Sequence, residues 1–160
     1  MLLVALALQS SLLVQFTVLG VVPQLVFVVV VSLAFLDGES VGVTTGFFGG
    51  LLIDLLLPQA VVGLGALVYT VAGYAVGRIR QLSPSDSVWA PVFTVATASF
   101  FVEICYATLA IILGQPWISF GLTAKAVGLV VLYNTLLTPF VFPLVRRINN
   151  RYRPAKVYRW

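Results

Sequence analysis

The sequence predicts an all-α polytopic membrane bundle of six transmembrane helices, and three observations carry that reading. Of its 160 residues 61% are hydrophobic and 9% charged, with a mean hydropathy of +1.09, against roughly 25% charged in a soluble domain. Apolar runs recur from end to end, so no stretch is left to build a water-soluble core. Small residues at helical spacing punctuate those runs, which suits helices that pack backbone to backbone. These features describe one membrane domain over residues 1–145 and a basic tail over 146–160.

The first helix is MLLVALALQSSLLVQFTVL, residues 1–19. No Lys or Arg precedes it and no polar stretch follows a plausible cleavage site, so it reads as a retained helix rather than a signal peptide. Apolar character continues to Leu36, but a single helix of 36 residues would be about 54 Å long against a hydrocarbon core of about 30 Å. Gly20 and Pro23 therefore break it, and a second helix covers 22–36. That helix is short for a span, which leaves a five-span count open. The polar turn Asp37-Gly38-Glu39-Ser40 leads to a third helix at 41–57, which Pro58-Gln59 ends. Along it Gly42, Gly46, Gly50 and Asp54 succeed one another on nearly one side, drifting about 40° per step.

A fourth helix at 60–77 carries Gly63, Ala66, Thr70, Gly73 and Gly77 in one stripe. The polar stretch RIRQLSPSDS, 78–87, then separates it from a fifth helix at 88–113, where Ala96, Ser99, Glu103, Ala107 and Ala110 share a face. After Gly114-Gln115-Pro116-Trp117 the sixth helix runs to Val145 and contains Asn134, Thr138, Pro139 and Pro143. Neighbours in a membrane can satisfy the carbonyls that proline frees, so a kink is expected near 135–139.

Basic residues set the orientation, because loops rich in Lys and Arg stay cytoplasmic. Six spans place Arg78, Arg80 and the tail residues Arg146, Arg147, Arg151, Arg153, Lys156 and Arg159 on one face, eight of the nine basic residues. Lys125, at the outer start of the sixth helix, can snorkel to the interface. Both termini are then cytoplasmic. The tail interleaves basic and aromatic residues, a pattern also seen in nucleic-acid binders. Anchoring to anionic lipids, at about 1 kcal/mol per basic residue, explains it more simply, so no nucleic-acid partner is expected.

Composition also excludes chemistry. The chain has no histidine and one cysteine, which removes Ser-His-Asp and Cys-His catalysis, His-containing metal sites and a structural zinc site. Cys105, inside an apolar run, reads as a buried, inert thiol. GFFGGLL lacks the Lys-Ser or Lys-Thr of a phosphate-binding loop. No enzyme activity and no cofactor are expected. The intramembrane polar residues Asp54, Glu103 and Asn134 remain, and a charge at mid-helix costs roughly 2.5–3.5 kcal/mol on insertion. Asp54, Glu103 or both either mark a proton or substrate path, or are each protonated or hydrogen-bonded across the bundle to Thr, Ser, Asn or Tyr groups, with water contact a further option for Asp54 near the outer helix end. The third helix inserts only marginally by itself and depends on packing. Its glycine face is expected to meet the fourth helix of the same chain, with a partner helix as the alternative.

Residues 21–77 resemble the MreD family of bacterial rod shape-determining membrane proteins. The matching features are Pro23 ahead of a valine-rich helix, Gly38 in the turn, Gly46-Phe47, Gly50-Leu51-Leu52 with Asp54, and Gly63, Gly65, Gly73 and Tyr74. Chain length, the basic C-terminus and Tyr133-Asn134 are also similar, whereas 85–125 matches only generically. The resemblance implies a non-enzymatic scaffold of the cell-elongation machinery. Its implied partners are the membrane-anchored protein MreC, the actin-like MreB filament, and the RodA and penicillin-binding protein synthases. It further implies an architecture like that of the S components of energy-coupling-factor transporters. Surfaces nominated for a partner are the glycine face of the third helix, the small face of the fourth, and the tail. The alternative functions are a small-molecule-binding transporter subunit, with Glu103 or Asn134 orienting the substrate, and a proton-coupled channel subunit using Asp54 and Glu103.

Overall fold

A computed structural model describes residues 1–11, 22–56, 62–82, 87, 89–113 and 120–152. Every regular element among them is a helix: α1 (Leu2–Ser11), α2 (Leu25–Asp37), α3 (Glu39–Leu56), α4 (Leu64–Leu82), α5 (Ala90–Ile112) and α6 (Phe120–Tyr152). Three have stretches long and apolar enough to cross a membrane: Glu39–Leu56, Ala90–Ile112 and Ala124–Arg151. The other two apolar helices, α1 and α2, are shorter than a span. At 13 residues, α2 is only about 20 Å long.

The bundle is organised around that short helix. Residues Leu25–Ala34 are all buried, and α2 packs against each of the other five helices. A helix that is hydrophobic all round is a core helix, and the run VFVVVV supplies no polar face that would turn it outward. Its one hydroxyl, on Ser32, donates to the Val28 carbonyl at 2.7 Å. Phe27 tilts against Tyr69 of α4 at 5.0 Å, and Phe35 meets Phe142 of α6 edge-on at 5.6 Å.

The turn after α2 is tighter than the sequence suggested. A single residue, Gly38, separates α2 from α3, which begins at Glu39 rather than 41. Gly38 sits at φ 91°, a left-handed conformation that glycine adopts without strain, and its N–H closes on the Ala34 carbonyl at 2.9 Å.

Three further boundaries move. Residues 78–82, expected to open the polar loop, are the last turn of α4, and α4 begins at Leu64 rather than 60. Gly63 therefore stands outside the helix whose stripe it was expected to join, in a turn at φ 100°. Residues 146–152, expected as the start of the tail, continue α6 for two more turns. That helix runs as one element through Pro139 and Pro143. The expected breaks at Gly20, Pro58-Gln59 and 114–117, and the tail residues Arg153, Lys156 and Arg159, lie outside the described residues.

Polar contacts bring the ends of four helices to one side. Asn149 of α6 donates to Asp37 of α2 at 2.8 Å, and Arg78 of α4 pairs with Glu39 of α3 at 3.4 Å. Arg80, Arg146, Arg147 and Arg151 lie toward the same side. Lys125 lies 21 residues before Arg146 on α6, a separation of about 32 Å that matches the hydrocarbon thickness.

Candidate functional site

The small-residue faces of α3 and α4 are turned toward each other. A methyl built on Gly46 would lie 2.9 Å from the Thr70 Cα, and one on Gly50 would lie 2.6 Å from the Ala66 Cα. Gly42 and Gly73 face each other backbone to backbone, and Gly77 abuts the backbone of Gly38 and Glu39. Only hydrogen fits at these positions, because small-xxx-small spacing works by letting main chains approach until side chains would collide. At Gly42, Gly46, Gly50, Gly73 and Gly77 this face is occupied from within the chain. Gly63 takes no part in the seam, since nothing lies within 4 Å of a methyl built there.

Asp54 ends the same seam in a different way. Its side chain, 2% exposed, reaches from the last turn of α3 across the start of α4. One oxygen accepts the N–H groups of Gly63 at 2.9 Å and Ala66 at 3.1 Å, and the other accepts that of Gly65 at 3.1 Å. The first N–H groups of a helix have no partner inside it, and the helix dipole favours a carboxylate there. Asp54 is therefore a helix cap delivered from the neighbouring helix. The side-chain partners expected for it are replaced by backbone donors, and Gly65 is glycine because a methyl would strike the Asp54 carboxylate.

The second polar group gathers at the start of α2, where Gln24 is the N-cap residue. Its backbone N–H donates to the Asn134 Oδ1 at 3.1 Å, and its side-chain amide donates to the Glu103 Oε1 at 2.6 Å. The Tyr69 hydroxyl donates to the Gln24 Oε1 at 3.4 Å. Asn134 in turn donates to the Ser99 Oγ at 3.0 Å, and Thr138 donates to the Asn134 carbonyl at 2.6 Å. Two residues on, the Val26 N–H donates to the Gln9 Oε1 of α1 at 3.0 Å. Helices α1, α4, α5 and α6 thus all send a side chain to the point where α2 begins.

Glu103 and Asn134 are brought together through Gln24, whereas Asp54 serves a different helix end. Sequence reading missed Gln24, Gln9 and Tyr69. The signal was present in two glutamines standing inside apolar runs on either side of Gly20 and Pro23, where an unpaired amide would be costly. In chemical terms this cluster fastens helices: its groups bond to one another and to backbone, and the geometry sets no nucleophile against a base.

Cys105 is exposed rather than buried. In a bilayer an apolar stretch faces lipid as readily as protein, so apolar neighbours in sequence did not imply burial. It lines a cleft of about 600 Å³ between α4 and α5, which opens sideways and has Arg80 among its walls. The Arg80 guanidinium lies 4.6 Å from the centre of the Phe35 ring. Arg146, Arg147 and Arg151 are exposed along the last turns of α6.

Against this geometry, residues 1–148 match the family model described as rod shape-determining protein MreD. No curated protein matches the chain, and no solved structure does, that of a transporter S component included.

Proposed function

The chain belongs to the MreD family, and from that premise we propose that it is a non-enzymatic membrane scaffold which binds an MreC-like partner and helps organise peptidoglycan synthesis during cell elongation. A role in rod shape determination comes with the family. The observation that supports the finer reading is the use made of the intramembrane polar residues. Asp54 caps α4, and Glu103 and Asn134 hold the start of α2, so each carboxylate has an architectural task. With the glycine seam filled from within, partners meet the remaining exterior: the apolar outer faces of the helices, and the basic surface formed by Arg146, Arg147 and Arg151. That surface is cytoplasmic in a chain seated in the inner membrane with both termini inside. It is where MreB and anionic lipids would be met, with the RodA and penicillin-binding protein synthases reached through the MreC-like protein. Association inside a bilayer rests on packing and hydrogen bonds rather than on hydrophobic burial.

The test is co-expression with an MreC-like protein and purification in mild detergent through a tag on this chain. Recovery of the partner in fixed proportion is the expected result. Recovery of an ATPase module with no MreC-like protein would replace the scaffold with the transporter subunit.

A further inference from the structure

We propose that the cleft between α4 and α5 is a binding site for one anionic phospholipid, with an acyl chain along its floor and the phosphate at Arg80. The inference needs only the membrane setting and stands apart from the identity of any protein partner. The walls ask for an apolar ligand. Val68, Ala72, Val76, Ala98 and Val102 line it, and its two threonine hydroxyls are committed to their own helix, Thr94 to the Ala90 carbonyl and Thr97 to the Phe93 carbonyl, each at 2.8 Å. A polar solute would find no free hydroxyl there, whereas a hydrocarbon chain needs none.

Size and shape separate a chain from a helix. On α4 the lining runs from Leu67 to Arg80, 13 residues or about 20 Å, somewhat more than the depth of one leaflet. Leu67, Ile79, Phe93 and Phe101, all more than half exposed at the rim, hold a second backbone away, where membrane helices that pack closely present small residues. Charge then selects the headgroup. Arg80 ends the cleft on the side that also carries Arg78 and the basic turns of α6, so a lipid entering sideways meets a cation at headgroup level. A guanidinium has five donors in a planar fork, enough to hold a phosphate bidentately beside its contacts within the protein.

Native mass spectrometry of the purified chain in mild detergent, titrated with phosphatidylglycerol or phosphatidylcholine, tests this. Wild type is expected to retain phosphatidylglycerol over phosphatidylcholine by about fivefold, the worth of one basic residue at a membrane surface. Arg80→Gln abolishes that preference, while Lys125→Gln, which removes a charge at the other end of the bundle, keeps it. Ala75→Phe, at an exposed lining position, fills the cleft and lowers retention of both lipids. Thermal unfolding of each variant shows that it is folded. Glycerol phosphate at matched concentration leaves the retained lipid in place, which distinguishes a lipid site from a phosphate site. Equal retention of the two lipids by wild type, an unchanged preference in Arg80→Gln, or displacement by glycerol phosphate would each overturn the proposal.

Discussion

Replacing Asp54 by alanine removes the acceptors that, among the described residues, serve three N–H groups at the start of α4, and the cost can be worked from the geometry. Two of the donors, on Gly65 and Ala66, are buried, while Gly63 is exposed and can turn to water. A buried donor left without a partner costs about 1–3 kcal/mol. In a membrane the unfolded reference also finds partners, so the lower part of that range applies. Two buried donors and the lost interaction with the helix dipole together come to about 2–4 kcal/mol. Asp54→Asn keeps one acceptor oxygen and turns an amide toward the other donors, so it falls about midway. Denaturation in mixed micelles with increasing dodecyl sulfate reads the stability. Hydrogen exchange of the segment covering Gly63–Ala66 reads the cap itself, because freed amides exchange faster while the middle of α5 does not change. An Asp54→Ala chain that unfolds at the wild-type midpoint with this segment still protected would refute the cap.

Gly46→Leu forces α3 and α4 apart where only hydrogen fits, at a cost above the roughly 1–3 kcal/mol of ordinary overpacking; Gly121→Ala, with open space around it, leaves the same denaturation midpoint unmoved. Asn134→Ala strands the Gln24 N–H and the Ser99 hydroxyl, which lowers stability by about 1–3 kcal/mol, and proteolysis or exchange at residues 22–28 should report loosening before the rest of the bundle. Glu103→Gln keeps an oxygen for the Gln24 amide, so the midpoint shifts by less than about 1 kcal/mol and capture of the MreC-like partner continues.

Much of the fold was legible because membrane helices announce themselves by composition. Six helices and the seam-forming spacing of Gly42, Gly46 and Gly50 all follow from apolar runs and period. The helix ends were less legible, because hydropathy falls where the membrane ends and not where the helix does. Arg78–Leu82 stays helical since Arg, Gln and Leu are good helix formers, and Arg146–Tyr152 adds turns to a helix already nucleated, which costs little. Asp54 was recognised as needing a partner, but the partner is main chain, which every residue carries and no sequence pattern marks. Gln24 was hidden for the opposite reason: its role depends on α1, α4, α5 and α6 converging at one depth. Cys105 shows the limit most plainly, since in a bilayer an apolar neighbourhood does not separate inside from outside.

The central claim is that the carboxylates of the bundle serve architecture and that the protein works by association. The most direct measurement is cell shape in a rod-forming bacterium depleted of its own family member, complemented with this chain carrying Glu103→Gln at wild-type abundance. Rods with the width and length given by the unaltered chain are the predicted result. Round cells, with the variant folded and present in the membrane at the same level, would contradict the account and make Glu103 a working proton or substrate group.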